Sequence, residues 1–451
     1  MYDAAVIGAG ISGLSAACRI LSAGLSVAVF ESESSPGGNM RTARESGYLL
    51  ERGPHSFLGS SRAIWKLLAD VSFLDAVQPA TPAARYRYIY RDGRLHALPM
   101  SPMQFITTRL LGTRAKLRLL AEPLVPGKAS PEDTVETFFA RRFGREAATY
   151  ITGPFVSGIY AGDPSQLGAA DSFPVFWELE STSGSLVLGG LRLMIGRRKN
   201  GDGPRRHGLF SFGGGLGDLM HHLASRLGPA LHLNTPVQSL AQDGRSWRVI
   251  CEQDVRARAV VVTAPPYEAA RMIPGDLAVL LGSMPFVPVA VVHLGSPRPV
   301  EGVPRGFGFL IPRHYGIRTL GTVLVSQLFH GRAPGDGTLL TSFLGGAFDR
   351  TVLDLSDDEL VSIAREDFRR ITGVSFPEDF ARVVRHPRAI PQLEVGHRKK
   401  VTEIHRLAAG TPGLFFAGNY LRGVGMNDAA ASGYAAAESA VRYLSESQDH
   451  G

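Results

Sequence analysis

The chain is short of cysteine and of long apolar runs, and each shortage closes a class of function. Only Cys18 and Cys251 occur in 451 residues, which excludes a disulfide scaffold and leaves no cysteine cluster for zinc or iron. There is no uninterrupted apolar stretch long enough to cross a bilayer. No charged leader precedes a hydrophobic run and cleavage site, since Tyr2 to Gly8 already reads as a strand. A membrane-spanning or secreted protein is not expected, and a reducing cytoplasm fits the cysteine usage. The histidines are scattered, without a His-Glu metal spacing, a Ser-His-Asp arrangement or a carboxylate pair, so no metal site is expected. The net charge of +7 favours an anionic partner, either an acidic lipid or a carboxylate-bearing substrate. Nucleic acid is not expected, because no zinc finger, basic zipper or ribonucleoprotein aromatic signature accompanies the charge.

The length calls for two or three structural units instead of one core. Residues 3–8 form an apolar run ending in glycine; apolar positions from Ile11 through Leu14, Ala17, Cys18 and Leu21 then recur at helical spacing to Gly24, and a second run ends at Glu31. This is strand, helix, strand with a glycine-rich first turn. Gly8 permits the turn, Gly10 lets a pyrophosphate approach the main chain, and Gly13 lets helix and strand pack closely; Glu31 is placed to accept hydrogen bonds from a ribose diol. A second glycine turn, Pro36-Gly37-Gly38, precedes Asn39, Met40 and Arg41. That addition points to FAD over NAD, because the longer cofactor gains from a second backbone approach and from a cation beside its phosphates.

The run from Val6 to Thr42 resembles the N-terminal fingerprint of the flavin-containing amine oxidase superfamily, although the superfamily often has arginine where this chain has Asn39. Near the other end, a strand at Leu414 to Ala417, a glycine loop and a small-residue helix from Ala429 to Leu444 resemble its second flavin-contact motif, with Asn419 where an acidic residue is common. The resemblance implies cofactor contacts at Gly8, Ala9, Gly10, Ile11, Ser12, Gly13, Glu31, Ser32, Gly38, Asn39, Met40 and Arg41. It implies further contacts at Gly53, Pro54, His55 and Ser56, at Val237 and Ala264, and at Gly418, Asn419, Val424, Gly425 and Met426.

Internal strings narrow the family. RYRYIYRDGRLHALP (85–99), SGIYAGDPSQL (157–167), PVAVVHLG (288–295), RGFGFLIP (305–312), LGGAF (344–348) and GVGMND (423–428) resemble the protoporphyrinogen/coproporphyrinogen oxidase family. Membership would imply FAD- and oxygen-dependent six-electron oxidation of protoporphyrinogen IX to protoporphyrin IX in haem synthesis with hydrogen peroxide released, peripheral attachment to the cytoplasmic face of a membrane, and a homodimer. By the same resemblance Arg87 pairs with a substrate propionate, with Arg85 as the alternative; Leu310 and Phe343 sandwich the ring, Phe307 lies nearby, and Gly158 and Ile159 run beside the pyrrole nitrogens. No catalytic side chain is expected, since the flavin carries the redox chemistry.

The expected fold class is α/β: a discontinuous Rossmann-like FAD-binding domain (1–60, 205–266, 397–451), an α+β substrate-binding domain (61–95, 267–396) and a mainly helical, membrane-associating domain (96–204). Within the last, Val135, Phe138, Phe139 and Arg142 follow a start signal at Ser130 to Asp133. Met103 to Pro123 reads as one basic amphipathic helix, lying on a membrane or packed on the core. Arg192, Arg197, Arg198, Lys199, Arg205 and Arg206 read as a solvated turn. Rival readings are coproporphyrinogen III oxidation, an amine oxidase or carotenoid desaturase, and a non-catalytic binding protein on the same fold.

Overall fold

A computed structural model describes residues 1–199 and 207–446. Its first sheet is assembled from both ends of the chain. Leu231–His232, Val27–Phe30, Tyr2–Ile7 and Val255–Val262 lie side by side in parallel, and Leu414–Phe416 adds to Val255–Val262 in the same direction. An antiparallel hairpin, Ser239–Asp243 with Ser246–Ile250, completes the other edge. Both faces are covered, which is why these strands are apolar at consecutive positions. Ala4 and Val6 enter the core beneath the helix Ile11–Ser22, whereas Ala5 and Ile7 join Val260 and Val262 in the core beyond the opposite face.

The helix Ile11–Ser22 lies against the last helix, Met426–Glu446, which begins earlier than the alanine run suggested. A Cβ at Gly433 would stand 2.0 Å from the Ser12 carbonyl oxygen, so only glycine allows these two backbones to come so close. The Ser12 hydroxyl donates to the Ala429 carbonyl at 2.8 Å across the same contact.

The second sheet has the order Phe380–Pro391, Phe286–Ser296, Thr338–Gly345, Thr319–Val323, Gly308–Leu310, Arg87–Arg91 and Arg94–Ala97. One face packs on the helix Asp357–Thr372 through Leu360, Ala364 and Phe368; the other turns toward the first unit and the helical segment. One domain boundary needs correction. Ile64, Leu67 and Leu68 on the helix Arg62–Asp70 are buried in the first core, and Val77–Pro79 pairs with Leu209–Phe212. Residues 61 to about 79 therefore belong with the cofactor unit, because an amphipathic helix must bury its stripe where it lands. Within the segment expected to be helical, Arg94–Ala97 is a strand of the second sheet to its last residues.

The helical segment has its own core around Val135, Phe138, Phe139, Val156 and Tyr160. Arg142 is fully buried there, paired with Glu180 and donating to the carbonyls of Val125 and Gly127 at 3.0 and 2.9 Å. Thr134, not the preceding Ser-Pro-Glu-Asp run, caps the helix Val135–Phe143; Asp133 binds Arg141 instead. The single helix expected over Met103 to Pro123 is two, Pro102–Thr107 and Thr113–Leu120, because Leu110 and Leu111 between them plunge into the core. The expected turn around Arg192 is helical, within Leu186–Lys199, while Arg205 and Arg206 lie outside the described residues. Among the described residues no helix is long and apolar enough to cross a membrane.

The Gly433 contact gives a direct test. Gly433→Ala is expected to lower stability by about 1–3 kcal/mol through overpacking, read as a reduced melting temperature and a reduced denaturation midpoint. A melting curve superimposable on that of the wild type would show that the two helices separate without cost.

Candidate functional site

The first strand ends in a turn built for close backbone approach. Gly8 adopts φ +104°, in the region that favours glycine, and a Cβ at Gly13 would stand 1.9 Å from the Gly8 carbonyl oxygen. At Gly10 a Cβ would meet nothing within 4 Å, so the fold itself does not demand glycine at that position. Helix Ile11–Ser22 starts there without a side-chain cap and without an acidic residue in its first turn, leaving its first N–H groups and the positive end of its dipole for an anion. The second glycine turn folds over the first: the Gly37 amide donates to the Ala9 carbonyl at 2.8 Å, and a Cβ at Gly38 would lie 3.7 Å from the Gly10 Cα.

Glu31 joins the two turns. Its carboxylate accepts from the Ala9 amide at 2.7 Å, from the Glu33 amide at 3.0 Å and from the Ser32 hydroxyl at 3.3 Å. The lone pairs left over can take a ribose hydroxyl. Arg41 is tied back to the second turn, donating to the Gly38 carbonyl at 2.9 Å and to the Ser35 hydroxyl at 3.1 Å. The Thr235 amide donates to the Glu31 carbonyl at 2.8 Å, which places Val237 two residues beyond Glu31's neighbour. Ala264 packs at Gly8, where a Cβ would lie 3.3 Å from its amide nitrogen.

Two further loops close on this cradle. A Cβ at Gly53 would stand 2.5 Å from the Asn39 carbonyl oxygen, so the Gly53-Pro54-His55-Ser56 loop rests on the second turn, beside the buried Met40. From the far end of the chain, the Gly418 amide donates to the Ser432 hydroxyl at 3.1 Å, half-buried Asn419 follows it, and Gly423 and Gly425 crowd against the Asp428 carboxylate. Val424 packs on the helical core, Met426 opens the last helix, and Asn427 donates to the Leu58 carbonyl at 2.9 Å. Ile11 and Ser12 are buried at the head of the first helix. The two turns, the free helix end and the loops from both termini fit an extended dinucleotide.

The second sheet supplies a floor beside the cradle. Its register puts Arg87, Gly308, Val323, Thr341 and His293 in one row across five strands, and Ile89, Leu310, Gly321, Phe343 and Val291 in the next row on the same face. Gly321 carries no side chain, and Leu310 leans over it, to within 2.7 Å of where a Cβ would be. The same Leu310 meets Gly158 of the helix Gly153–Tyr160, where a Cβ would lie 2.6 Å away, and exposed Ile159 follows. At one edge the Arg87 guanidinium stacks over the Phe307 ring at 5.2 Å. Among the described residues it has no carboxylate partner, and burial lowers its pKa from the ordinary arginine value. Exposed Arg85 lies in the preceding turn and bonds to the Tyr86 hydroxyl at 2.7 Å, so of the two Arg87 stands on the floor.

Sequence reading missed a buried polar cluster where cradle and floor meet. The His293 Nδ1 shares a hydrogen bond with the Thr341 hydroxyl at 2.8 Å, and burial pushes its pKa down to about 4. Burial pushes Glu51 up to about 7, against the hydrogen bonds from Thr42 and the Leu216 amide and the charge of Arg332. Arg332, almost fully buried, donates to Ser211 and to the Phe212 carbonyl at 2.9 Å and stands 3.9 Å from Glu51, so it bridges the two units. A histidine inside the apolar strand PVAVVHLG was the available signal for His293. Phe415, Phe416 and Tyr420 are absorbed by the cores on the two sides of the first sheet and form no aromatic cage. Among the described residues no cluster of three metal-ligating side chains occurs.

The family model for flavin containing amine oxidoreductases matches residues 11–441. The chain is 31% identical over 477 residues to protoporphyrinogen oxidase 2, chloroplastic/mitochondrial, of Arabidopsis thaliana, covering 98% of this chain and 94% of that one. It is 30% identical over 465 residues to coproporphyrinogen III oxidase of Bacillus subtilis, covering 97% and 98% respectively. A crystal structure from Exiguobacterium sp. 255-15 has the same fold, with a TM-score of 0.83 and 24% identity over 97% of this chain and 98% of that one.

The open space at Gly10 separates folding from cofactor loading. Gly10→Val is expected to keep the stability of the flavin-free protein within about 0.5 kcal/mol while removing most bound flavin, read by melting and by absorbance of the purified protein. Full flavin occupancy in that variant would place the pyrophosphate elsewhere.

Proposed function

The chain belongs to the flavin containing amine oxidoreductase family, and from that membership we propose that this FAD-dependent oxidoreductase converts protoporphyrinogen IX to protoporphyrin IX. The observation that carries the substrate reading is Arg87: a half-buried guanidinium with no carboxylate partner among the described residues, at the rim of an apolar floor. A cation so placed is stabilised when a ligand brings the missing anion. From Arg87 to Phe343 the floor spans three strand spacings, about 14 Å, a length suited to a flat four-pyrrole ring with its propionate arm. The relatives named as protoporphyrinogen oxidases support the same chemistry.

Bound FAD supplies the two-electron acceptor for hydride leaving the substrate, and three such rounds with oxygen as terminal oxidant yield porphyrin and hydrogen peroxide. The protein's own contribution is orientation and exclusion of water. Arg87 forks onto a propionate, Leu310 and Phe343 hold the ring by its faces, and Gly158 and Ile159 close over it from the helical segment. Gly8, Gly10, Gly13, Glu31, Gly38 and the main chain of the Gly53–Ser56 loop hold the cofactor from the other side.

A second reading, oxidation of coproporphyrinogen III, is favoured by the bacterial relatives that carry that name. Turnover of both porphyrinogens side by side under air, followed by porphyrin fluorescence, decides between them; inactivity on both overturns the assignment. Arg87→Ala is expected to raise KM about tenfold or more, as loss of a charge-assisted contact implies, with flavin content unchanged. An unchanged KM would remove Arg87 from the substrate site.

Peripheral attachment to the cytoplasmic face of a membrane belongs to the same reading, as does a homodimer. Met103, Ile106, Leu117 and Leu120 are each more than 60% exposed along an edge that also carries Arg109, Arg114 and Lys116, the pairing of apolar and basic groups that anionic lipid attracts. Sedimentation with anionic vesicles is expected to carry the protein down and to weaken when Ile106 and Leu120 are both changed to Ser. Equal recovery in the supernatant with and without vesicles would exclude that edge as a lipid contact.

A further inference from the structure

His55 is buried, and neither of its ring nitrogens has a hydrogen-bond partner among the described residues. Burying two polar atoms unpaired is costly unless a ligand satisfies them, so the position itself points to an occupant. The ring projects from the loop that rests on the second glycine turn. Its edge meets Phe343 at 5.9 Å and His293 at 6.4 Å between ring centroids, so it stands where the cofactor cradle touches the substrate floor.

Resting on the porphyrinogen reading above, we propose that His55 accepts the proton that leaves a pyrrole nitrogen in each oxidation round. The electron pair of the neighbouring C–H bond departs as hydride to the flavin, the N–H electron pair stays to form the new double bond of the ring, and the N–H proton passes to the free imidazole nitrogen. Oxygen then takes the electron pair together with both hydrogens and leaves as hydrogen peroxide, which returns the imidazole to its neutral state. Three such rounds remove three meso hydrides and three N–H protons; one proton shift from the remaining meso methylene to a ring nitrogen then leaves the porphyrin with its two N–H groups, so charge and atoms balance with no reactant beyond flavin, porphyrinogen and oxygen.

The imidazole rests unprotonated, in surroundings that oppose its charged form. Burial first, then His293 and Arg332, push the His55 pKa down to about 3, so the imidazole rests neutral with a lone pair available. Glu51, the buried acid of the cluster, is committed to Thr42, the Leu216 amide and Arg332. An imidazolium formed here would be costly in isolation. It arises together with the negative charge of the arriving electron pair, and opposite charges created side by side in a dry site stabilise each other. The His293–Thr341 hydrogen bond holds the second imidazole of the pair in one orientation behind it.

Anaerobic stopped-flow mixing of the purified holoenzyme with protoporphyrinogen IX or coproporphyrinogen III, followed by bleaching of flavin absorbance, tests the assignment. His55→Gln and His55→Ala are expected to slow limiting bleaching about 100-fold, while flavin content, flavin spectrum and the half-saturating porphyrinogen concentration stay within about threefold. Added imidazole is expected to restore the Ala variant about tenfold and not the Gln variant, an effect that a merely structural side chain would not produce. Wild-type bleaching in His55→Gln, absence of imidazole rescue, or loss of flavin from both variants would overturn the role of His55. Failure of the wild type to be bleached by either porphyrinogen would instead remove the substrate reading, and this assignment with it.

Discussion

The structure depends on backbone meeting backbone around the first helix. Gly13 lets the helix settle on the turn that precedes it, and Gly433 lets the last helix settle on its outer side, with the Ser12 carbonyl about 2.0 Å from where a side chain would begin. Close approach at both places aims the head of Ile11–Ser22 at one point in space. The second glycine turn, the Gly53–Ser56 loop and the loop before Met426 then have a fixed object to close around. Were either contact looser by a methyl group, the N–H donors would lose the alignment that makes a helix end an anion site.

Where the two sheets meet, the protein accepts several buried polar groups that burial alone would expel. Arg332 is held by Ser211, by the Phe212 carbonyl and by Glu51, and it fastens the second sheet's connecting loop to the cofactor unit. Glu51 immediately precedes the loop that carries His55. The arrangement therefore couples the rigidity of the junction to the position of the loop that carries His55, and burial strengthens every charge interaction made there.

The glycine turns, the flanking strands and Glu31 were legible in the sequence because they are local: a period, a turn residue and a carboxylate within thirty-odd positions. The floor was not legible from pattern alone. Arg87, Leu310 and Phe343 are brought together by strand register across more than 250 residues of chain, and only family resemblance pointed to them. The same applies to His293 and Thr341, which become neighbours because Phe286–Ser296 pairs with Thr338–Gly345. Two local readings failed for a common reason. Leu110 and Leu111 break a plausible basic helix by diving inward, and the stripe of Ile64, Leu67 and Leu68 draws Arg62–Asp70 to the first core; in both, tertiary burial outweighs local periodicity.

The hydrogen bond from Ser12 to Ala429 spans 417 positions of the chain. During synthesis the amino-terminal strand-helix-strand must wait, one apolar flank uncovered, until the final helix has left the ribosome, and contacts of such long range form slowly. The dinucleotide site is therefore complete only once Met426–Glu446 has been made, and a nascent chain interrupted anywhere short of that helix has nowhere complete to receive its coenzyme.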